Sequence, residues 1–154
     1  MSSNQPRFLA ASLSSTTTPA LTTSYAVRPA YADGTVMAVA NQSVGNSATQ
    51  TFFASVTQTA PGTMTAITLK AQVSFDGANS TTATAANWTD VIITNLATGV
   101  TAIEHTLTGV DGATACATYG TESGRNAPYM RVCVKSVTAN AAAGESATVY
   151  VVAS

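Results

Sequence analysis

A strict alternation of apolar and polar residues, TAITLKAQVSF at residues 65–75, constrains the fold more than any other stretch of the chain. Successive side chains of a β-strand point to opposite sides of the sheet, whereas a helix repeats about every 3.6 residues. The pattern therefore predicts a strand with one face in a core and the other toward solvent. Half-buried strands of this kind are typical of antiparallel sheets.

Similar alternation recurs along the chain, with turn residues at intervals of about 8–12 residues, as expected of a sandwich or a barrel. The stretch NLATGVT predicts a tight hairpin with Gly99 at its turn. We therefore predict an all-β protein, an antiparallel β-sandwich with a jelly-roll-like arrangement. Further strands are predicted at residues 24–31, 35–41, 50–58, 88–96, 101–108, 113–119, 128–137 and 146–153.

Residues 1–24 show no sustained period and contain Pro6, Pro19 and a run of Ser and Thr. Such a stretch is typical of an extended segment without a core of its own. We predict two parts, an extended N-terminal arm at residues 1–24 and a β-sandwich domain at residues 25–154.

The composition combines enough apolar residues for a core with very few charges. Hydrophobic residues make up 45% of the chain, but charged residues only 8%, against about 25% in ordinary soluble proteins. Six basic residues and a net charge of −1 predict no nucleic-acid binding. No apolar run approaches the roughly 20 residues that span a bilayer, so we predict no membrane association. Because sheet edges are commonly protected by Lys and this chain has two, its edges are either very short or covered by other copies, and we favour the second.

The two cysteines flank the loop TESGRNAP. A hairpin folded about this loop would place Cys116 opposite Cys133, with both thiols on its more polar side. A cross-strand disulfide would then be geometrically feasible. The alternative is two reduced thiols in a protein made in a reducing cytosol.

No group of residues predicts catalysis or a metal site. His105 is the single histidine and alternates with apolar residues, which indicates a core position. Asp76 and Asp111 each precede Gly, as in ordinary turns. With Asp90 they lack the short ligand spacing of a calcium loop. We predict no catalytic residue, no cofactor and no enzymatic activity.

The single tryptophan, Trp88, follows a polar loop and precedes a predicted strand. We predict that it closes one end of the sandwich. The alternative is a platform on which a sugar ring stacks.

Several stretches carry a resemblance to known modules. The stretch VSFDGANSTTATAANWTDV resembles the strand, Asp-Gly turn and Trp-Thr-Asp pattern of small β-sandwich modules in tailed-phage virion proteins. It also resembles discoidin-type carbohydrate-binding modules. The stretches APYMRVCVKSV and GESATVYVVAS resemble later strands of these modules, so the resemblance covers residues 65–154. The Ala/Thr/Ser-rich composition and the N-terminal arm are similar to those of capsid decoration, or cement, proteins.

The resemblance implies a structural virion protein on the outside of a phage capsid, assembled in the host cytoplasm. Its partners would be the major capsid protein and copies of itself, as a homotrimer or a larger symmetric assembly. We predict Phe8, Leu9 and Leu13 as arm contacts, and Tyr25 and Tyr31 as contacts where the arm joins the domain. The alternatives are a tail or neck component of a phage, and a carbohydrate-binding or adhesion module that uses Trp88.

Overall fold

The computed structural model describes residues 7–27, 50–74, 88–122 and 129–152. These ranges contain ten strands and no α-helix, and accordingly no helix in them could cross a membrane. The strands are β1 (Arg7–Ser14), β2 (Thr51–Thr57), β3 (Ala66–Ser74), β4 (Thr89–Val91), β5 (Ile93–Asn95), β6 (Thr101–Ala102), β7 (His105–Thr108), β8 (Thr114–Thr121), β9 (Tyr129–Val137) and β10 (Ser146–Val152).

The strands form two antiparallel sheets that pack face to face. The larger sheet has the order β1-β10-β2-β8-β5-β6. In the smaller sheet β3 is central, with β9 paired along its length on one side and β4 and β7 paired in succession on the other. The prediction of an all-β antiparallel sandwich is confirmed.

Alternate residues of the strands form the core between the sheets. In β2, Phe52, Ala54 and Val56 have no exposed surface, whereas Phe53 is 39% exposed. The ring of Tyr119 on β8 stacks on Phe52 with the centroids 5.5 Å apart. Burying a large apolar side chain contributes about 1.5–3 kcal/mol relative to its exposure, so this shared core is the main source of stability.

The strand predicted at residues 65–75 is β3, and its apolar face lies in the core as expected. Ile67 and Leu69 have no exposed surface. The opposite face differs from the prediction, because Thr68 and Gln72 are also buried, at 7% and 9% exposure. As the central strand, β3 has neighbours on both sides whose long side chains cover its polar residues.

Two predicted strands each divide between the sheets. The strand at 88–96 becomes β4 in the smaller sheet and β5 in the larger one, with the exposed Ile92 between them. The strand at 101–108 becomes β6 and β7 in the same way. The hairpin between β5 and β6 is confirmed. Its Gly99 has a φ of 74°, which glycine adopts without steric cost.

The N-terminal arm is the main correction to the predicted organisation. Residues 7–14 form β1, an edge strand of the larger sheet that pairs with β10. Leu13 and Leu21 have no exposed surface, and they belong to the core. Residues 22–27 then run beside β9, where Ala26 forms an isolated bridge with Val134. The boundary at residue 24 therefore does not separate an arm from the domain.

A β-bulge explains why the sequence did not show this strand. The pairing register with β10 shifts between Leu9 and Ala11. An extra residue in a strand interrupts the period of two, so residues 7–14 lack sustained alternation. Phe8 pairs in register with Val151, and Leu9 with Tyr150. The predicted strand at 35–41 and the predicted contact Tyr31 lie outside the described residues.

Replacing Leu13 should test whether this segment belongs to the core. We expect Leu13→Ala to lower the free energy of unfolding by about 3 kcal/mol, because it leaves a cavity in a packed interior. The matched variant Leu96→Ala, at a residue 54% exposed, should cost about 0.5 kcal/mol or less. Denaturant unfolding measures both, and equal small losses would mean that β1 does not contribute to the core.

Candidate functional site

The outer face of the smaller sheet carries three of the four cations of the described residues. The outward positions of β3 and β9 carry Lys70, Arg131 and Lys135, in cross-strand register with Cys133, Gln72 and Thr68 respectively. Both lysines of the protein lie here. We call this surface the cationic face, and define it by Tyr25, Lys70, Gln72, Trp88, Asp90, Arg131, Cys133 and Lys135.

Gln72 connects the polar groups of the cationic face. Its amide nitrogen donates to Asp90 Oδ1 at 2.8 Å. Its amide oxygen accepts from Arg131 Nε at 2.7 Å and from the Cys133 thiol at 3.3 Å. Lys70 Nζ lies 3.4 Å from the same Asp90 oxygen. These contacts satisfy the buried amide and hold two cations close to one carboxylate.

Trp88 is part of this cluster rather than a platform at the surface. Its side chain is 5% exposed, and the Arg131 guanidinium carbon lies 4.4 Å from its ring centroid. A cation over an aromatic face is electrostatically favourable. The ring therefore has no open face on which a sugar could stack, which removes the contact that the carbohydrate-binding alternative assigned to Trp88.

Tyr25 anchors residues 22–27 to the cationic face. Lys70 Nζ and Lys135 Nζ lie 4.8 Å and 4.7 Å from its ring centroid. Burial, followed by the nearby Glu104 carboxylate, raises the pKa of Tyr25 above its ordinary value of 10.0. The phenol is therefore protonated at neutral pH. Leu13 is buried in the core and offers no surface to a partner, whereas Tyr25 is half-buried against its own domain.

The predicted hairpin between the two cysteines is wrong. Cys116 lies on β8, which pairs with β2 and β5, whereas Cys133 lies on β9, which pairs with β3. The two strands belong to different sheets, and both cysteines are free. Burial raises the pKa of the Cys133 thiol, although Arg131 and Lys70 oppose this shift. Local sequence cannot show that the chain crosses between sheets at this loop.

The two thiols should differ sharply in reactivity. Cys116 is exposed and Cys133 is buried, and a buried thiol with a raised pKa is a poor nucleophile. We expect one equivalent of a maleimide to react with the folded protein and two equivalents after unfolding. Peptide mapping should place the first label on Cys116. Labelling of Cys133 at a similar rate in the folded protein would contradict this placement.

The outer face of the larger sheet has the opposite character. Its four long strands, β1, β2, β8 and β10, contain one charged residue, Arg7, at a corner of the sheet. Hydroxyls occupy most of the outward positions and align in cross-strand rows. We call this surface the hydroxyl face, and define it by Ser12, Ser14, Thr51, Phe53, Ser55, Thr57, Leu96, Thr114, Cys116, Thr118, Ser146, Thr148 and Tyr150.

A short apolar strip crosses the hydroxyl face. Phe53 and Tyr150 are directly opposed on β2 and β10, and they are 39% and 38% exposed. Leu96, 54% exposed, follows β5 and donates its backbone N–H to the carbonyl of Thr118, the partner of Phe53. The Leu96 side chain lies over Gly120, where an added Cβ would come within 3.4 Å of Leu96 Cδ2. A Cβ at this position would be in ordinary van der Waals contact with Leu96, so the two residues are neighbours on the face.

A buried carboxylate organises the loops at one end of the sandwich. Glu145 has no exposed surface. Its carboxylate accepts hydrogen bonds from the backbone N–H of Ala142 at 2.9 Å and of Thr63 at 3.2 Å, and from the Thr63 hydroxyl. Burial raises the pKa of Glu145, but these hydrogen bonds and one from the Met64 backbone outweigh burial and lower it below the ordinary 4.5. The carboxylate therefore joins two loops that are distant in sequence.

Stability should depend on the ionisation of Glu145. The pKa of Glu145 is lower in the folded than in the unfolded protein. The ionised carboxylate therefore contributes fully to the free energy of unfolding above the unfolded pKa, and this contribution disappears as the pH falls through the folded pKa. We expect Glu145→Gln to lower the free energy of unfolding by about 2 kcal/mol at pH 7. Denaturant unfolding from pH 7 to pH 2 should show a smaller difference between the two proteins at the acid end. A difference that stays constant with pH would contradict this role.

His105 lies in the core, as its alternation with apolar residues predicts. It is 8% exposed, its Nε2–H donates to the carbonyl of Ile93 at 2.8 Å, and its ring lies 5.1 Å from that of Tyr119. It contacts a backbone carbonyl and an aromatic ring rather than a nucleophile. Within the described ranges, no three His, Cys, Asp or Glu residues are grouped to hold a metal ion. Asp76 lies outside these ranges.

Comparison of the chain with protein-family models, curated proteins and solved structures found no match. The candidate sites therefore follow from geometry alone. The candidate sites are the cationic face of the smaller sheet and the hydroxyl face of the larger sheet. Sequence reasoning assigned importance to Trp88 and the cysteines but did not identify the hydroxyl face. The pattern that could have identified this face is the Ser and Thr residues that alternate with apolar residues in β2 and β10. These residues form one surface only once the strand order is known.

Proposed function

We propose that the protein is a structural component of a tailed-phage virion, of the capsid decoration type, with no enzymatic activity. The observation that carries the proposal is the hydroxyl face. It is a sheet surface almost without charge, and three of the four described cations lie on the other sheet. Its partners would be the major capsid protein and further copies of this chain.

A surface of this kind suits a permanent assembly. Removing a charge from water is costly unless it is paired, whereas a hydroxyl can exchange its water for another hydrogen-bonding group. The cores of stable interfaces are depleted in charged residues and enriched in aromatic ones. Phe53 and Tyr150 supply the aromatic component, and Ser and Thr supply the polar component.

The mechanism is additive burial on a symmetric lattice. A stable interface typically buries about 800 Å² on each partner, and a shell repeats each contact at every equivalent position. A decoration protein needs no catalytic group to stabilise a shell in this way. We assign the contact surface to a face of the folded domain rather than to the predicted arm, and the burial of Leu13 in the core supports this assignment.

Binding to undecorated phage shells should test the function. We expect the protein to cosediment with shells that lack it, and to raise their resistance to heat. A matched pair of variants tests the face. Thr148→Lys places a charge on the hydroxyl face, and Thr106→Lys places the same charge on the outer side of β7 in the other sheet. We expect the first variant to bind shells at least tenfold more weakly and the second to bind as wild type.

Other outcomes would redirect the proposal. Binding to isolated phage tails but not to shells would favour the tail or neck alternative. Retention on a glycan array without binding to any virion part would favour an adhesion module, and would place its sugar site away from the buried Trp88. Either result would overturn the assignment as a decoration protein.

A further inference from the structure

We propose that the hydroxyl face is the contact between two copies of this chain, packed sheet on sheet about a twofold axis. The apolar strip of Leu96, Phe53 and Tyr150 lies in the contact. This inference rests on the proposed function, because it names the partner that covers the surface on which that function depends. The occupant is a second copy, and shell binding depends on the same face because a dimer makes two shell contacts where a monomer makes one.

The hydroxyl face is chemically complementary to itself. Each Ser or Thr hydroxyl is both a donor and an acceptor, so a row of hydroxyls can hydrogen-bond to an identical row. The Thr57 and Thr114 hydroxyls already show such a contact within one chain, with 2.9 Å between their oxygens. A face made of charges of one sign cannot meet its own copy in this way, because like charges repel.

The cationic face does not fit a twofold contact. A second copy placed there would bring Lys70, Arg131 and Lys135 against the same three cations. Asp90 pairs with Lys70 at 3.4 Å, so the face keeps an excess of positive charge. Bringing like charges together at an interface is costly. Of the two outer faces, the hydroxyl face is therefore the one suited to self-association.

The sheet edges also favour contact through the face rather than through strand pairing. At one edge, the carbonyl of Ser14 on β1 accepts the backbone N–H of Leu21 at 2.8 Å, and the Ser14 N–H donates to the Thr17 hydroxyl at 3.0 Å. The end of β1 is therefore occupied by its own turn, and the bulge between Leu9 and Ala11 interrupts the rest of this edge. At the other edge, β6 has two residues. Short or covered edges are poor templates for another strand.

The apolar strip gives the contact its central component. Aromatic side chains that become fully desolvated provide most of the binding energy in many interfaces, and a surrounding polar rim excludes water. Phe53 and Tyr150 lie in the middle of the sheet, on β2 and β10, with β1 and β8 on either side. Ser55 and Thr148 lie beside them as hydroxyl neighbours in the next cross-strand row.

The size of the hydroxyl face limits how much surface the contact can bury. Four strands about 4.8 Å apart and seven residues long, at about 3.4 Å per residue, cover roughly 450 Å² per copy. A twofold contact would then bury on the order of 900 Å² in total, which is below the roughly 1,200–2,000 Å² of stable interfaces and in the range of weak, transient ones. We therefore expect a dissociation constant in the micromolar range in solution, with stronger net binding where copies are held on a shell.

Cys116 provides a reporter on the face itself. It is exposed, and it pairs in register with Ser55, in the row next to the strip. Cys133 is buried on the other sheet, so a maleimide reports on Cys116 alone. Packing of two faces should cover this thiol, and its labelling rate should fall as the protein associates.

The experiment combines solution mass with the labelling rate of Cys116, in the absence of shells. From about 1 μM to 500 μM, a range that spans the expected dissociation constant, we expect light scattering to change from monomer to dimer. Over the same range the labelling rate should fall at least fivefold. Thr148→Lys should remain monomeric with a constant rate, and Thr106→Lys should behave as wild type. Cys116→Ser gives the background rate.

A charge-pair test distinguishes self-association from a folding defect. Thr148→Lys and Thr148→Glu should each be monomeric alone, because each would face its own charge across the twofold axis. An equimolar mixture of the two should associate again, since opposite charges then meet. Circular dichroism of each variant should match wild type. No recovery in the mixture would overturn the proposal of a contact between identical faces.

The outcomes separate this inference from the proposed function. A protein that stays monomeric at every concentration, yet binds shells and loses that binding in Thr148→Lys, overturns the twofold contact and leaves the decoration function standing. A dimer in which Cys116 reacts at the monomer rate places the contact on another surface, and overturns the inference as well. A dimer through this face that binds no virion part supports the inference and overturns the function.

Discussion

Burial of every second strand residue between two sheets is the interaction on which the rest of the structure depends. Phe52, Ile67 and Leu69 are fully buried in this layer, and their positions determine which way every other residue on the same strands points. A shift of one residue would turn the core side chains to the outside. The packing of the core thus determines which residues form the two outer faces. The residue types of one face can differ from those of the other, because neither face holds the sheets together.

The two outer faces differ in their charged residues. Three of the four described cations lie on the smaller sheet, where Gln72 and Asp90 connect them and Tyr25 and Trp88 pack against them. The larger sheet keeps hydroxyls and a short apolar strip. On the smaller sheet the polar groups contact one another, and Gln72, Trp88 and Cys133 are each buried.

Several features could be predicted from local pattern. The alternation in β3, the turn at Gly99 and the core position of His105 all follow from neighbours a few residues apart. The strand β1 could not be predicted, because the bulge after Leu9 interrupts its period. The strands that pair with the Cys116 strand, β8, could not be predicted either. A hairpin was the nearest option along the chain, but the strands on either side of the loop belong to different sheets.

The sequence by itself determined that this protein is built of strands with one face in a core, because alternation is a property of each strand alone. Only the tertiary structure decided which strands are neighbours, because pairing joins residues far apart in the chain, such as Phe53 and Tyr150. That order assembles scattered Ser and Thr residues into one uncharged surface and gathers Lys70, Arg131 and Lys135 on the other. The physical reason is that a strand's pattern specifies which face is buried, whereas its place in a sheet depends on the packing and hydrogen bonds of the whole domain.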